Sequence, residues 1–399
     1  MRVSTSSYFE SGTNALLRAQ AELVKTQQQM STGRRILTAA DDPSGASNAL
    51  RVAQSLGRNE QLRANQTAAS NSLAVAESTL GQVGELLQGA QERLLQAQNG
   101  TLSAVDRQTI AGDIDALLGQ LTGLANARDV TGAYLFAGYS ESSKPFENGA
   151  GGVNYQGDDG SRKLEAASGR LIGISASGSD IFMRIKNGNG VFSTGANSAN
   201  SGSGFIDSGS VSDPSALTGR AYSLTFNVSA GIATYDVYDT TAGASVSTGN
   251  PFRAGQSIAV AGMQVGINGT PAAGDVFSLS PAVNQSVFKT LADASAALRS
   301  GAASGARLTT VNNALSGLMQ ATDHILTMRA DFGSRMNELA AYENVSGAVV
   351  LEHQKRLSEL QDLDYTEAAT RLMRQQTSHE AAQQSFAKIA KLSLFNYIG

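Results

Sequence analysis

The residues best able to do chemistry here are few and scattered. The chain has three histidines, His324, His353 and His379, and none lies in an HExxH or other paired arrangement that would put two zinc ligands on one helix face. All three fall in stretches of helical pattern, where a surface or seam position accounts for them. Asp41-Asp42 could be imagined as an acid or metal site, but Pro43 follows at once. Asp42 as an N-cap, with Pro43 at the first helical position, explains the triplet better. Asp158-Asp159-Gly160 begins like a calcium loop yet lacks the later ligands and closing Glu, so it reads as a turn. Gly188-Asn189-Gly190 has no third glycine and no helix after it, which sets aside a nucleotide loop. The absence of Cys removes disulfides, thiolate metal sites and Cys nucleophiles. No Gly-x-Ser-x-Gly elbow precedes an acid and a histidine in the required order. A carboxylate pair for glycoside hydrolysis is defined by separation in space, which the sequence leaves open. No catalytic, metal or cofactor-binding constellation emerges, and neither enzyme activity nor a cofactor is expected.

The elements around these residues point to assembly. Phe9, Leu16, Leu23, Met30 and Leu37 recur every seven residues, with Ala19 and Thr26 between them. Val311, Leu318, Ile325, Phe332 and Leu339 repeat the period, interleaved with Ala314, Ala321 and Met328. A seven-residue apolar repeat lays one narrow stripe along a helix, and another helix must cover it. Between these regions, residues 138–281 hold 24 of the 42 glycines and five of the six prolines.

The spacing predicts a helix over 8–30 that ends at Gly33, a C-cap residue suited to φ > 0. A second should run from Ser44 to Gln98, with Leu73, Ala76, Leu80, Val83, Leu87, Ala90, Leu94 and Ala97 on one face. A third follows Asp106, carrying Ile110, Ile114, Leu117, Leu121 and Leu124. Helix resumes near Ser286, pauses at Ser300-Gly301, and runs from Arg307 to Leu360, then from Tyr365 to Leu392. Strands are expected at 131–138, 170–175, 181–185, 221–228, 232–238, 257–267 and 275–280. Turns at Asp158-Asp159-Gly160, Asn187-Gly188, Asn268-Gly269 and Gly274-Asp275 punctuate them. The Ser/Gly/Asn stretch 193–213 reads as a mobile loop. The fold class is therefore mainly α with an inserted all-β domain, the terminal helices pairing into an elongated helical rod. The division expected is 1–42 with 363–399 as a terminal coiled-coil assembly domain, 43–137 with 285–362 as a helical rod domain, and 138–284 as a β-rich outer domain.

Composition narrows the partners. Net charge is −4 with no long basic run, so nucleic acid, whose phosphates call for clustered Lys and Arg, is not an expected partner. No segment approaches the ~20 apolar residues of a membrane span, and Met1–Ser7 lacks the apolar core of a cleavable secretory signal. No membrane partner is expected.

The terminal motifs are more specific. Met30-Ser31-Thr32-Gly33-Arg34-Arg35-Ile36 leads to Asp41-Asp42-Pro43-Ser44-Gly45-Ala46. Near the other end stand Arg329-Ala330-Asp331-Phe332-Gly333-Ser334-Arg335-Met336-Asn337-Glu338-Leu339 and Leu363-Asp364-Tyr365-Thr366-Glu367-Ala368, and the chain closes on Ser393-Leu394-Phe395-Asn396-Tyr397-Ile398. This set closely resembles the flagellin family of bacterial axial proteins, over roughly 1–137 and 285–399. Gly33, Arg34, Asp42, Pro43, Gly333, Arg335 and Asn337 carry the structural motifs. The closing hexapeptide, Ala133–Gly138 and Lys144-Pro145-Phe146 point, within the family, to members that join hook to filament. Tyr155-Gln156-Gly157-Asp158, Gly178-Ser179-Asp180-Ile181-Phe182 and Gly274-Asp275-Val276-Phe277 extend the match more weakly through the middle.

The resemblance implies a structural junction subunit of the bacterial flagellum. It would form a ring of copies of itself between flagellin and a neighbouring hook-associated protein. Export would proceed unfolded through the flagellar type III path, without a cleaved signal, with an export chaperone on the C-terminal helix; the mature protein would be extracellular. Phe9, Leu16, Leu23 and Met30, with Leu372, Phe386, Ile389, Leu392, Leu394, Phe395 and Tyr397, are the residues expected at the assembly interface. Bulk flagellin is the alternative within the family. An enzyme carried on an axial scaffold and a sugar-binding adhesin are the alternatives from other classes.

Overall fold

The computed structural model describes residues 5–149 and 151–398, with side-chain surroundings described from Phe9 to Lys388. Helices α1 (Thr5–Thr32), α2 (Pro43–Ala97) and α3 (Ala104–Ala125) come first. Short strands follow: β1 (Phe146–Gly149), β2 (Gly152–Tyr155), β3 (Lys163–Ala167), β4 (Arg170–Gly173), β5 (Ile185–Lys186), β6 (Phe192–Ala196), β7 (Phe205–Ile206) and β8 (Ser210–Val211). Next come β9 (Tyr222–Ser229), β10 (Ile232–Asp239), β11 (Ala244–Pro251), β12 (Ser257–Val260), β13 (Met263–Asn268), β14 (Val276–Pro281) and β15 (Asn284–Gln285). Helices α4 (Val287–Arg299), α5 (Ser304–Gln361) and α6 (Tyr365–Ile398) close the chain. The fold is mainly helical with an inserted β region whose strand pairs are all antiparallel. Packing divides the chain into two compact units, 1–64 with 342–399, and 65–341.

In the second unit the predicted stripes are buried. Leu73, Leu80, Val83, Leu87 and Leu94 of α2 are closed to solvent, as are Val311, Leu318, Ile325, Phe332 and Leu339 of α5. Gln98 Nε2 donates to Asn312 Oδ1 at 2.8 Å and Gln91 Nε2 to Thr322 Oγ1 at 3.1 Å, so the two helices run antiparallel. Helix α3 starts one turn earlier than the sequence reading placed it. Ser103, not Asp106, is the N-cap, and Asp106 returns a bond to the Ser103 N–H, completing a capping box.

The β region centres on a five-stranded sheet in the order β11-β10-β9-β14-β6 and a smaller sheet in which β13 pairs with β12, β7 and β8. Tyr222, Leu224, Phe226, Phe277 and Leu279 of the first sheet pack with Ile258, Val260, Met263, Val265 and Ile267 of the second. Alternation along β9 sends every other side chain into that core, the period a half-buried strand requires. Residues 257–267 form two strands, because Ala261 and Gly262 take φ of 48° and 80° and turn the chain back.

Three expectations are corrected. Residues 131–138 are not a strand but a string of turns with an isolated bridge from Tyr134 to Arg128. Asp129 Oδ1 accepts from the Thr131 and Ala133 N–H groups, which coils the run while Leu135, Phe136 and Ala137 are buried. Most of 181–185 belongs to a π-helical turn, Ser179–Met183. That turn points Phe182 at Phe136, Phe146 and Phe288, with ring centroids 5.4–5.8 Å apart. The stretch 193–213 carries β6, β7 and β8 in place of a continuous loop. Its small residues allow close backbone approach, and buried Asp275 and Asn200 hold it through the Ser201 and Gly202 N–H groups and the Val276 backbone.

Candidate assembly interface

The first unit is built on α1 and α6. Phe9 meets Phe386 edge-on, centroids 5.7 Å apart at 87°, and the Tyr365 hydroxyl donates to the Met30 carbonyl at 3.3 Å. The two helices therefore run antiparallel. On α1 the covered positions include Phe9, Gly12, Leu16, Ala19, Leu23, Thr26 and Met30, a three-four spacing, with Gln29 also buried. On α6 they include Ala368, Leu372, Gln375, His379, Ala382 and Phe386, the same spacing. Each is a coiled-coil seam.

Phe9, Leu16, Leu23, Met30, Leu372 and Phe386 thus share one seam and are half-buried in the single chain. Ile389, Leu392, Leu394, Phe395 and Tyr397 lie outside the residues whose side chains are described. The sequence reading missed that α6 contributes polar groups to the seam. Gln375 and His379 lie there, and the Gln375 Oε1 and His379 Nδ1 atoms are buried without a hydrogen-bond partner. Continuing the three-four count back from Phe386 would have found both. An apolar trough opens beside Phe9, Gly12, Ala15, Leu16, Ala382 and Phe386. Leu17, Val24 and Met373, 58%, 42% and 67% exposed, stand outside the seam.

The motif residues at the base of this pair have defined tasks. Gly33 ends α1 at φ 69°, the left-handed conformation glycine accepts. Its carbonyl accepts from the Leu363 N–H at 2.9 Å, and the Arg35 N–H donates to the Gln361 carbonyl at 2.7 Å. Exposed Arg34 sits between them, bridged to Asp362. The two connectors, 33–35 and 361–363, are thereby stitched as a short antiparallel pair. Arg35 Nη2 adds a bond to the Leu360 carbonyl at 2.9 Å. Pro43 opens α2, and Asp42 Oδ1 accepts from the Gly45 N–H at 2.8 Å, as an N-cap does. Asp41 accepts from the Leu37 and Thr38 N–H groups and pairs with Lys25 Nζ at 2.6 Å. These bonds, the one from Lys25 foremost, hold its carboxyl down at about 2.

Gly333, Arg335 and Asn337 belong to α5 in the second unit. Arg335 donates to the Gly173 carbonyl at 3.1 Å, pairs with Asp331 and lies over the Phe332 ring. A Cβ on Gly333 would meet nothing within 4 Å, and Asn337 is exposed. Of the histidines, His324 Nε2 lies 2.7 Å from the Asp180 carbonyl and His379 Nε2 2.8 Å from Gln383.

Family models agree with this architecture. The bacterial flagellin N-terminal helical region matches residues 3–141, and the C-terminal helical region matches 315–398. Flagellar hook-associated protein 3 of Escherichia coli is 27% identical over 395 residues, 99% of each chain. The crystal structure of hook-associated protein 3 from Legionella pneumophila superposes with a TM-score of 0.72 at 30% identity, covering 77% of this chain and 98% of that one. FlgL of Xanthomonas campestris gives the same TM-score at 32% identity, covering 77% and 99%. With both family regions matched at its ends and this likeness running through its middle, the chain belongs to the flagellin family, in the group of flagellar hook-associated protein 3.

Proposed function

We propose that this chain is the structural junction subunit that links the hook of a bacterial flagellum to its flagellin filament. The observation that carries the reading is the extent of the likeness. Flagellin-type regions account for 3–141 and 315–398 alone, whereas the match to hook-associated protein 3 continues through the β region across 99% of the chain. Bulk flagellin would require the likeness at the two ends only.

In this reading the chain works by self-assembly, not catalysis. The segments 1–42 and 363–399 are the assembly part, 43–137 with 285–362 the helical part, and 138–284 the outer part. Partners are further copies of itself, flagellin on one side and a neighbouring hook-associated protein on the other. The seam supports this: helices that cover each other on one stripe keep the trough and the exposed Leu17, Val24 and Met373 available for neighbours. Burial of each such side chain contributes ~1.5–3 kcal/mol, repeated around a ring. Passage through the flagellar export path to the outside, with a chaperone on α6, completes the proposal.

Deleting the gene in its own bacterium, followed by electron microscopy and assay of shed flagellin, tests it. Bare hooks with abundant flagellin monomer in the medium are expected. Bare hooks without flagellin would make this the filament subunit, and intact filaments would overturn the structural reading.

A further inference from the structure

The second unit contains a polar cavity of about 200 Å³ beside β6, α4 and α5. Helix α5 packs closely on the β region beside it. Gly305, Thr309 and Asn313 fall every four residues on one face, and each meets the β region through small or polar groups. A Cβ on Gly305 would come within 1.9 Å of the Gly204 carbonyl oxygen. Thr309 Oγ1 accepts from the Ile206 N–H at 3.2 Å. Asn313 Nδ2 donates to the Thr194 carbonyl, and its Oδ1 accepts from Thr194 Oγ1 at 2.9 Å. One turn on, Gly317 lines the cavity, as does Gly188 on the facing loop, at φ 59°. A Cβ on Gly317 would come within 3.1 Å of Thr290 Cγ2, and one on Gly188 within 2.2 Å of the Phe192 carbonyl oxygen, so both glycines mark close packing at the cavity wall.

Its walls carry more hydrogen-bonding capacity than the protein uses. Asn187 Oδ1 accepts from the Val283 N–H at 2.9 Å, but its amide reaches Gln285 Oε1 only at 3.5 Å. Gln285 Nε2 donates one hydrogen to Thr290 Oγ1 at 3.1 Å. Thr310 Oγ1 donates to the Ala306 carbonyl at 3.2 Å and retains its acceptor lone pairs. Asp293 uses one carboxylate oxygen on Lys289, at 2.8 Å. Asn187, Gln285 and Asn313 thus each use one amide hydrogen, and they line the same cavity as the acceptor oxygens of Thr310 and Asp293. An anion needs donors only and would meet the Asp293 charge. An apolar guest would strip these groups of water without replacing it. A hydroxyl donates and accepts at once, and several on one ring match a mixed lining of this kind.

We propose that this cavity is a binding site for a small ring polyol of the hexose class, recognised by Asn187, Gln285, Asp293, Thr310 and Asn313. A space of about 200 Å³ suits a ligand of one ring. The site belongs to the second unit alone and does not depend on assembly.

Saturation-transfer NMR on the full-length chain, with D-glucose, D-galactose and N-acetyl-D-glucosamine as probes at up to ~50 mM, covers the weak range expected of so few contacts. Transfer to at least one sugar is expected, weakened about tenfold or more in Gln285→Leu, and likewise in Thr310→Val, which removes one acceptor from an otherwise intact helix. Circular dichroism identifies a variant that has lost its fold, and the other then decides. Absence of transfer to all three sugars would mean the cavity holds water only and would overturn the proposal. Equal transfer in the wild type and a folded variant would place any sugar elsewhere and overturn it too.

Discussion

The ring of Phe386 lies where a Cβ at position 12 would come within 3.0 Å of its edge, so Gly12 is the space into which Phe386 packs. Phe9 meets the same ring edge-on. Two effects oppose each other here. Alanine in place of a helical glycine contributes roughly 1 kcal/mol of helix propensity, while the added methyl pushes on a ring able to shift by a few tenths of an ångström. Gly12→Ala is therefore expected to be near neutral. Gly12→Val adds two branched methyls against the ring and is expected to weaken the α1–α6 pair by ~1–3 kcal/mol. Amide exchange over residues 9–30 measures this; equal protection in wild type and the Val variant would show that the ring does not depend on the gap.

Leu16 and Phe386 line one trough, and a carboxylate at either would have to be buried on assembly. Leu16→Asp and Phe386→Asp are expected to leave export of the chain intact and to abolish filament attachment. Immunoblots of the medium and electron microscopy of the cells check both halves. Normal filaments on either variant would remove this seam from the assembly surface.

Periodicity made the helices legible because each has one dominant stripe. Helices α2 and α5 appear within a few residues of their expected limits, and Gly33, Asp42 and Pro43 announced the turn between α1 and α2. The middle was less legible, for a physical reason. Phe136 and Phe182 are buried by their neighbours in an aromatic cluster, and short apolar runs of that kind look the same in a strand, a π-turn or a set of tight turns. Strands β6 to β8 escaped because their residues are small and polar, and what orders them is distant in sequence: Asn313, Thr309 and Asp275. In the candidate interface the apolar half of the seam was readable. The polar half, Gln375 and His379, was not, because an apolar pattern discounts buried amides and imidazoles.

The Lys25–Asp41 pair makes the base of the terminal helices sensitive to acid. The Asp41 carboxyl is held near 2 in the folded chain, below the 3.8 of an unperturbed aspartate. A depressed folded value means that the unfolded state binds the proton more readily, so stability falls as pH falls. The contribution is complete above about 4, declines as pH drops toward 2, and does not change further below that. Asp41→Asn is expected to remove this part of the acid dependence while keeping an acceptor for the Leu37 and Thr38 N–H groups. Thermal melts of both proteins between those limits check it; parallel pH profiles would refute the assignment.

Glu77 and Arg329 join α2 to α5, with Arg329 Nε and Nη2 at 2.9 and 2.6 Å from Glu77 Oε1. Both side chains keep about a third of their surface in water, so screening limits the pair to ~0.5–1 kcal/mol in spite of its two bonds. A double-mutant cycle with Glu77→Gln and Arg329→Gln should return a coupling of that size, smaller in high salt. The guanidinium passes over Gly81, leaving 3.7 Å between its nearest atom and a Cβ placed there, an ordinary contact. Gly81→Ala is therefore expected to stabilise the second unit by up to ~1 kcal/mol without disturbing the pair. If Gly81→Ala lowers stability and also abolishes the Glu77–Arg329 coupling, the glycine is needed for close approach of the arginine, and the ion pair is more tightly packed than its exposure indicates.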